Sequence, residues 1–104
     1  MESIGDKIPK QFKTFGSTIE VVFDNKYLNN KSLYGEASYS ENKIILADVD
    51  GVDALSPDRI LDTFYHEKVH MILEAMGELE LTKNEKFVEV FSKLLRQADI
   101  TSEY

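Results

Sequence analysis

The first clear hydrophobic period in the chain lies at residues 17–23, STIEVVF, where Ile19, Val21 and Phe23 share one face at period two. Alternation in a β-branched stretch predicts a half-buried strand. A polar stretch, DNKYLNNKS, separates it from YGEASYSENKIILAD. That segment reads as two short strands, over residues 36–39 and 43–47, around a turn at Ser40, Glu41 and Asn42. Strands so close in sequence are most simply joined as a hairpin.

The period then changes from two to 3.6. Ser56, Pro57 and Asp58 make a helix start: a capping hydroxyl, a proline where no N–H is needed, and an acid at the positive end of the helix dipole. The helix is expected to run to about Met76, with Gly77 as its left-handed stop. Over residues 83–97, Phe87, Val88, Phe91, Leu94 and Leu95 repeat at i, i+1, i+4, i+7 and i+8. This predicts a second helix with one buried stripe, followed by a fraying tail, DITSEY. Between the hairpin and the first helix, DVDGVD resembles the opening of a calcium loop. The twelfth position from Asp48 is Arg59, where an EF-hand needs a bidentate glutamate, so an ordinary loop is expected.

Composition narrows the class. The 104 residues carry no repeat, linker or low-complexity tract, so residues 1–104 are read as a single domain of α+β class. A formal charge of -7 argues against a nucleic-acid partner, because phosphates would be repelled. No stretch approaches the ~20 apolar residues of a membrane span, and MESIGDKIPKQF lacks an apolar leader. A soluble, cytoplasmic protein without a membrane partner is expected. With no cysteine, any zinc must be held by His, Asp or Glu.

Both histidines of the chain stand in TFYHEKVHMIL, residues 63–73, inside the expected first helix. Residues i and i+4 lie about 40° apart on a helix, so His66 and His70 can offer both rings to one ion. Glu67 points about 100° round and can reach a water on that ion without ligating it. This is the HExxH arrangement of a zinc site with a general base. Neutral imidazoles hold Zn2+, which lowers the pKa of bound water to about 7, while the glutamate takes the proton and returns it to the leaving amine.

A catalytic zinc site wants a third protein ligand. Glu74 extends the same helical row, where three ligands from one straight helix cannot easily surround an ion, and is expected to be solvated. Glu78 and Glu80 fall in the connection after Gly77 and are unattractive on geometry. On the second helix, with Phe91 as zero, the apolar stripe spans about -60° to +60°, Glu85 falls near 120° and Glu89 near 160°. Glu85 borders the stripe and is the expected third ligand, with Glu89 as the alternative.

With GEASYSENKIILA, HEKVHMILEAMG and NEKFVEVFSKLL in place, residues 35–97 resemble the minimal zincin metallopeptidases, particularly the ImmA/IrrE-like and SprT-like proteins of phages and mobile elements. Asn84 and Glu85 also resemble the Asn-Glu pair that opens the gluzincin second motif. The resemblance implies a short antiparallel sheet packed on an active-site helix and a C-terminal glutamate-bearing helix. It implies that His66 and His70 are zinc ligands, Glu67 the base and a glutamate of NEKFVE the third ligand. It places residues 43–47 at the sheet edge beside the cleft, where a peptide or protein substrate adds as a further strand. Two positions depart from the pattern. Lys68 stands where extended zincin motifs are usually uncharged, and no further histidine is present for the oxyanion, a role left to Tyr34, Tyr39, Arg59, Arg96 or Tyr104.

The leading expectation is therefore a zinc-dependent peptidase. The alternatives are a non-catalytic zinc-stabilised interaction module and an acidic adaptor without metal.

Overall fold

The computed structural model describes residues 7–104, so the first six residues of the MESIGDKIPKQF stretch lie outside it. Three of the strands follow the alternation and turn signals: β2 (Ser17–Phe23), β3 (Gly35–Ser38) and β4 (Lys43–Leu46). β3 and β4 form the expected antiparallel hairpin, with Ala37 opposite Ile44. Asn42, at a φ of 54°, closes the turn as its N–H donates to the Tyr39 carbonyl at 3.2 Å.

The sheet order is β1-β2-β4-β3, with β1 (Gln11–Thr14) antiparallel on β2, and β2 parallel to β4. The antiparallel-rich sheet thus contains one parallel pair. It also corrects the expected edge: β4 is interior and β3 lies at the edge. The reason is legible in KIIL, whose Ile44, Ile45 and Leu46 are all buried. An uninterrupted apolar run is the mark of a strand covered on both faces.

The polar stretch after β2 holds a helix that periodicity did not show, α1 (Asn25–Asn30), whose buried residue is Leu28. Its asparagines hold the Asp-rich segment as a small hairpin, β5 (Val49–Asp50) with β6 (Asp53–Ala54). Asn25 Oδ1 accepts from the Asp48 and Val49 N–H groups at 2.8 and 3.2 Å, and Asn29 Nδ2 donates to the Val49 carbonyl at 2.9 Å. Backbone donors that a calcium loop would leave to its ligands are thus taken by amide side chains.

α2 (Pro57–Met76) starts and stops where the sequence indicates. Ser56 Oγ accepts from Arg59 N–H at 3.1 Å, and Gly77 caps the helix at φ 78°. Phe64, Tyr65 and Met71 pack with Ile19, Ile44 and Leu46, which joins helix to sheet. Lys68 lies on this side: its ammonium sits 5.4 to 5.7 Å from the rings of Phe12, Phe64 and Tyr65. Cation–π attraction accounts for a charge at a position next to the core.

After a single turn, α3 (Leu79–Thr82), comes α4 (Glu85–Thr101), capped by Asn84 Oδ1, which accepts from Phe87 N–H at 3.0 Å. Here the expected stripe is only half buried. Val88 and Ser92 are buried and Leu95 is partly so, whereas Phe91 and Leu94 are 47% and 60% exposed. The buried face is rolled about 80° from Phe91. Polar contacts on the inner face hold that roll. Arg96 Nη2 donates to Asp58 Oδ1 and Arg96 Nη1 to Asp62 Oδ1, both at 2.7 Å, and Tyr65 Oη donates to Asp99 at 2.6 Å. Hydrogen bonds to charged groups are worth about 1.5–3 kcal/mol each, comparable to burying a Phe or Leu.

Arg96→Ala is expected to lower stability by about 1–2 kcal/mol, because two solvent-exposed carboxylates lose their shared partner and the covered arginine stem loses its packing. Urea unfolding measures it. A midpoint unchanged from the parent would show that the roll of α4 is held by apolar packing alone.

Candidate metal centre

α2 presents His66, Glu67 and His70 to α4, and α4 answers with Glu85 and Glu89. Glu85 Oε2 lies 3.4 Å from His66 Nε2, and Glu85 Oε1 lies 3.7 Å from His70 Nε2. The ligand atoms of His66, His70 and Glu85 all fall within 4.8 Å of one another. Two ligands roughly 2.0–2.1 Å from a tetrahedral ion stand roughly 3.3–3.4 Å apart. The spacing therefore suits one ion, and among the described residues this trio is the group that could hold a metal.

Each ring also has its other nitrogen engaged. His66 Nδ1 lies 3.2 Å from Glu89 Oε2, and His70 Nδ1 lies 2.8 Å from Thr82 Oγ1. A carboxylate at Nδ1 favours the proton there and leaves the Nε2 lone pair facing Glu85. The roll of α4 thus corrects the expectation that Glu89 points away from the core. Measured from the observed buried face, Glu85 lies about 40° and Glu89 about 80° round, so both reach the histidines. They are not equivalent, since Glu85 spans both Nε2 atoms and Glu89 backs one ring.

The remaining carboxylates sort simply. Glu78 and Glu80 are exposed and outside the group. Glu74 is half-buried rather than solvated, and burial pushes its carboxyl above the usual range. Two residues of the site escaped the sequence reading. Thr82 carries no periodic or motif signal; its role comes from the single turn of α3. Gly35 has a physical signature: a Cβ there would stand 2.5 Å from Thr63 Cγ2 and 3.2 Å from Glu67 Cγ. Only glycine lets β3 lie this close to α2.

That close approach shapes the surroundings of Glu67. Two cavities, of about 520 and 570 Å³, flank it and share Gly35 and Glu67 in their walls. Burial pushes the Glu67 carboxyl up to about 7, with the Glu85 charge adding to the effect and a backbone hydrogen bond from Ala37 opposing it. Burial likewise lowers His70, and His66 beside it adds to this. Glu89 is held below the usual carboxylate range, first by its hydrogen bond to Lys93 and also by His66. Of the five oxyanion candidates, Tyr34 and Arg59 line the first cavity with His66 and Glu67. Arg59 stands 5.4 Å over the Tyr34 ring, whose hydroxyl donates to Asp50 at 3.0 Å. Arg96 is committed to Asp58 and Asp62, and neither Tyr39 nor Tyr104 lines either cavity.

No family model matches the chain, and no curated protein or solved structure matches it either.

In the metal-free protein, Glu67 holds its proton up to about pH 7 when folded, against an ordinary value of 4.5 when unfolded. The folded state binds more protons between those values, so stability falls as pH rises through that window, by up to about 3 kcal/mol from this group. Glu67→Gln removes the titration. Urea unfolding of metal-free parent and variant between pH 4.5 and 8 should show the variant gaining on the parent as pH rises; a constant difference contradicts the assignment.

Proposed function

We propose that the chain is a zinc-dependent peptidase that uses Glu67 as general base. The observation that carries this reading is the convergence of His66 Nε2 and His70 Nε2 on the Glu85 carboxylate, with Glu67 half-buried beside them in the cavity walls. The donor set favours zinc: two imidazoles and one carboxylate in a chain without thiolates, leaving one tetrahedral position for water. Bound Zn2+ supplies a Lewis acid that brings its water to a pKa of about 7 and polarises a carbonyl.

The chain's own residues do the rest. Glu67, half-buried beside the two histidines, would accept the water's proton and deliver it to the leaving amine. Glu89 and Thr82 hold the imidazoles in orientation from behind. The outer side of β3 pairs with no strand among the described residues, so an extended peptide adds there, past Gly35 and across the two cavities. Arg59, which lines the first cavity, is the group proposed to meet developing negative charge, since the Tyr34 hydroxyl is given to Asp50. No helix among the described residues is long and apolar enough to cross a membrane.

Hydrolysis of a mixed peptide library, followed by mass spectrometry with one Zn2+ per chain, tests the reading. Glu67→Gln is expected to keep the zinc and lose at least about 10²-fold in rate. A parent that binds zinc stoichiometrically and cleaves nothing would leave the metal a structural part of an interaction module instead.

The ligand roles have their own test in equilibrium dialysis against Zn2+. His66→Ala and Glu85→Ala should remove stoichiometric binding, while Glu89→Ala and Thr82→Val should retain it with about 10–100-fold weaker affinity. Loss of binding in Glu89→Ala alongside retention in Glu85→Ala would reverse the two glutamates.

A further inference from the structure

The two cavities beside Glu67 differ in how their carboxylates are matched. In the first, Asp58 and Asp62 are held by Arg96, and Glu89 by Lys93. In the second, Glu36 is paired with Lys31 at 3.3 Å and Glu85 spans the two histidines, but Glu74 has no hydrogen bond or ion pair among the described residues. It is half-buried all the same, and burial holds its carboxyl above the usual range with no neighbouring cation to draw it back. Lys83 stands on the same rim, exposed and beyond ion-pair distance of Glu74. A carboxylate that is partly dehydrated and unmatched attracts a cation from outside.

The rest of the cavity indicates which kind. Its volume is about 570 Å³, and Ala37 and Leu79 give it an apolar wall, with Leu79 58% exposed. A compact ion would leave that wall uncovered. A lysine or arginine side chain covers it with its methylene stem and carries its charge to the carboxylate. The cavity is also in register with the site. Glu74 follows Glu67 by two turns of α2, about 10 Å along the axis, within reach of a long side chain on a residue next to a bond held at Glu67. Ala37 lies two residues beyond Gly35 on the same face of β3, so a strand added to this edge turns alternate side chains toward the cavity.

We infer that Glu74 determines specificity: it selects a peptide with a lysine or arginine beside the cleaved bond, whose stem lies along Ala37 and Leu79 and whose charge meets the Glu74 carboxylate. The cleaved bond rests on the peptidase reading above, whereas the selection is a property of binding and is measured without turnover.

The test titrates 15N-labelled, zinc-loaded Glu67→Gln protein with blocked alanine-rich peptides carrying one central lysine, norleucine or glutamate. Norleucine keeps the lysine stem without its charge. The lysine peptide should bind about fivefold more tightly than the norleucine peptide, with the glutamate peptide weakest, and should shift the amides of residues 35–38 and 74–82. Adding Glu74→Gln should bring the lysine and norleucine peptides within about twofold, with zinc stoichiometry unchanged. A lysine preference that survives Glu74→Gln overturns the inference, as does equal binding of lysine and norleucine from the start. So does tighter binding of the glutamate peptide, which would give the cavity to Lys83, or no binding by any of the three at millimolar concentration. Incubation of the same peptides with the parent judges the peptidase reading separately. No cleavage beside a Glu74-dependent lysine preference would refute the enzyme and keep the selection; cleavage with equal kcat/KM for lysine and norleucine would do the reverse.

Discussion

The roll of α4 on α2 rests on one buried apolar contact, Val88 against Val69 and Leu73, and on a guanidinium further along the same face. Arg96 reaches Asp58 and Asp62, one helical turn apart at the start of α2, with 2.7 Å contacts to each. A further polar contact on that face, Tyr65 to Asp99, lies about one turn further along α4. Together they turn a face containing Ser92, rather than the Phe91 and Leu94 face, toward α2. The consequence at the other end of α4 is geometric: the same roll that buries Arg96 brings Glu85 and Glu89 over the two histidines. Ion pairs formed at one end of a rigid helix thus set a ligand position about two and three turns away. The apolar residues rotated outward are the complementary result of the same choice.

This explains which parts of the fold could be read from sequence. α2 was legible to the residue because Ser56, Pro57 and Gly77 act locally, through one hydroxyl, one fixed φ and one left-handed cap. The β3–β4 hairpin was legible for the same reason. What could not be read depends on contacts distant in sequence. α1 has a single buried apolar residue, Leu28, and therefore no period to detect. The interior place of β4 follows from its parallel pairing with β2, although the unbroken IIL run gave a signal for it. The roll of α4 depends on partners 34 and 38 residues away from Arg96. A stripe count weighs every apolar residue alike and has no place for a buried guanidinium.

The candidate site divides along the same line. His66, Glu67 and His70 are legible because their relation is set by one helix. Glu85 was reached by weighing angles on an assumed buried face, and its neighbour Glu89 was placed wrongly because that face was wrong. Thr82 had no signal, since its value lies in the position of α3 between two longer helices. Gly35 was open to inspection as a glycine opening a strand, but only the approach of Thr63 and Glu67 shows why a side chain is excluded.

Glu67 is the place where stability and chemistry pull apart. Its carboxyl is ionised only at a cost, since burial and the nearby Glu85 both disfavour the charge. In a domain of this size, whose net stability is of order 5–15 kcal/mol, a penalty approaching 3 kcal/mol is not incidental. A solvated position would avoid it. Gly35 makes the arrangement tighter by drawing β3 against the Glu67 side chain, so the burial is built in by backbone approach rather than by chance packing. A cation held by His66, His70 and Glu85 would relieve the like-charge part of that cost and stabilise the folded chain in proportion to its affinity. A half-buried acid and a second carboxylate beside two imidazoles form an arrangement that positive charge would complete.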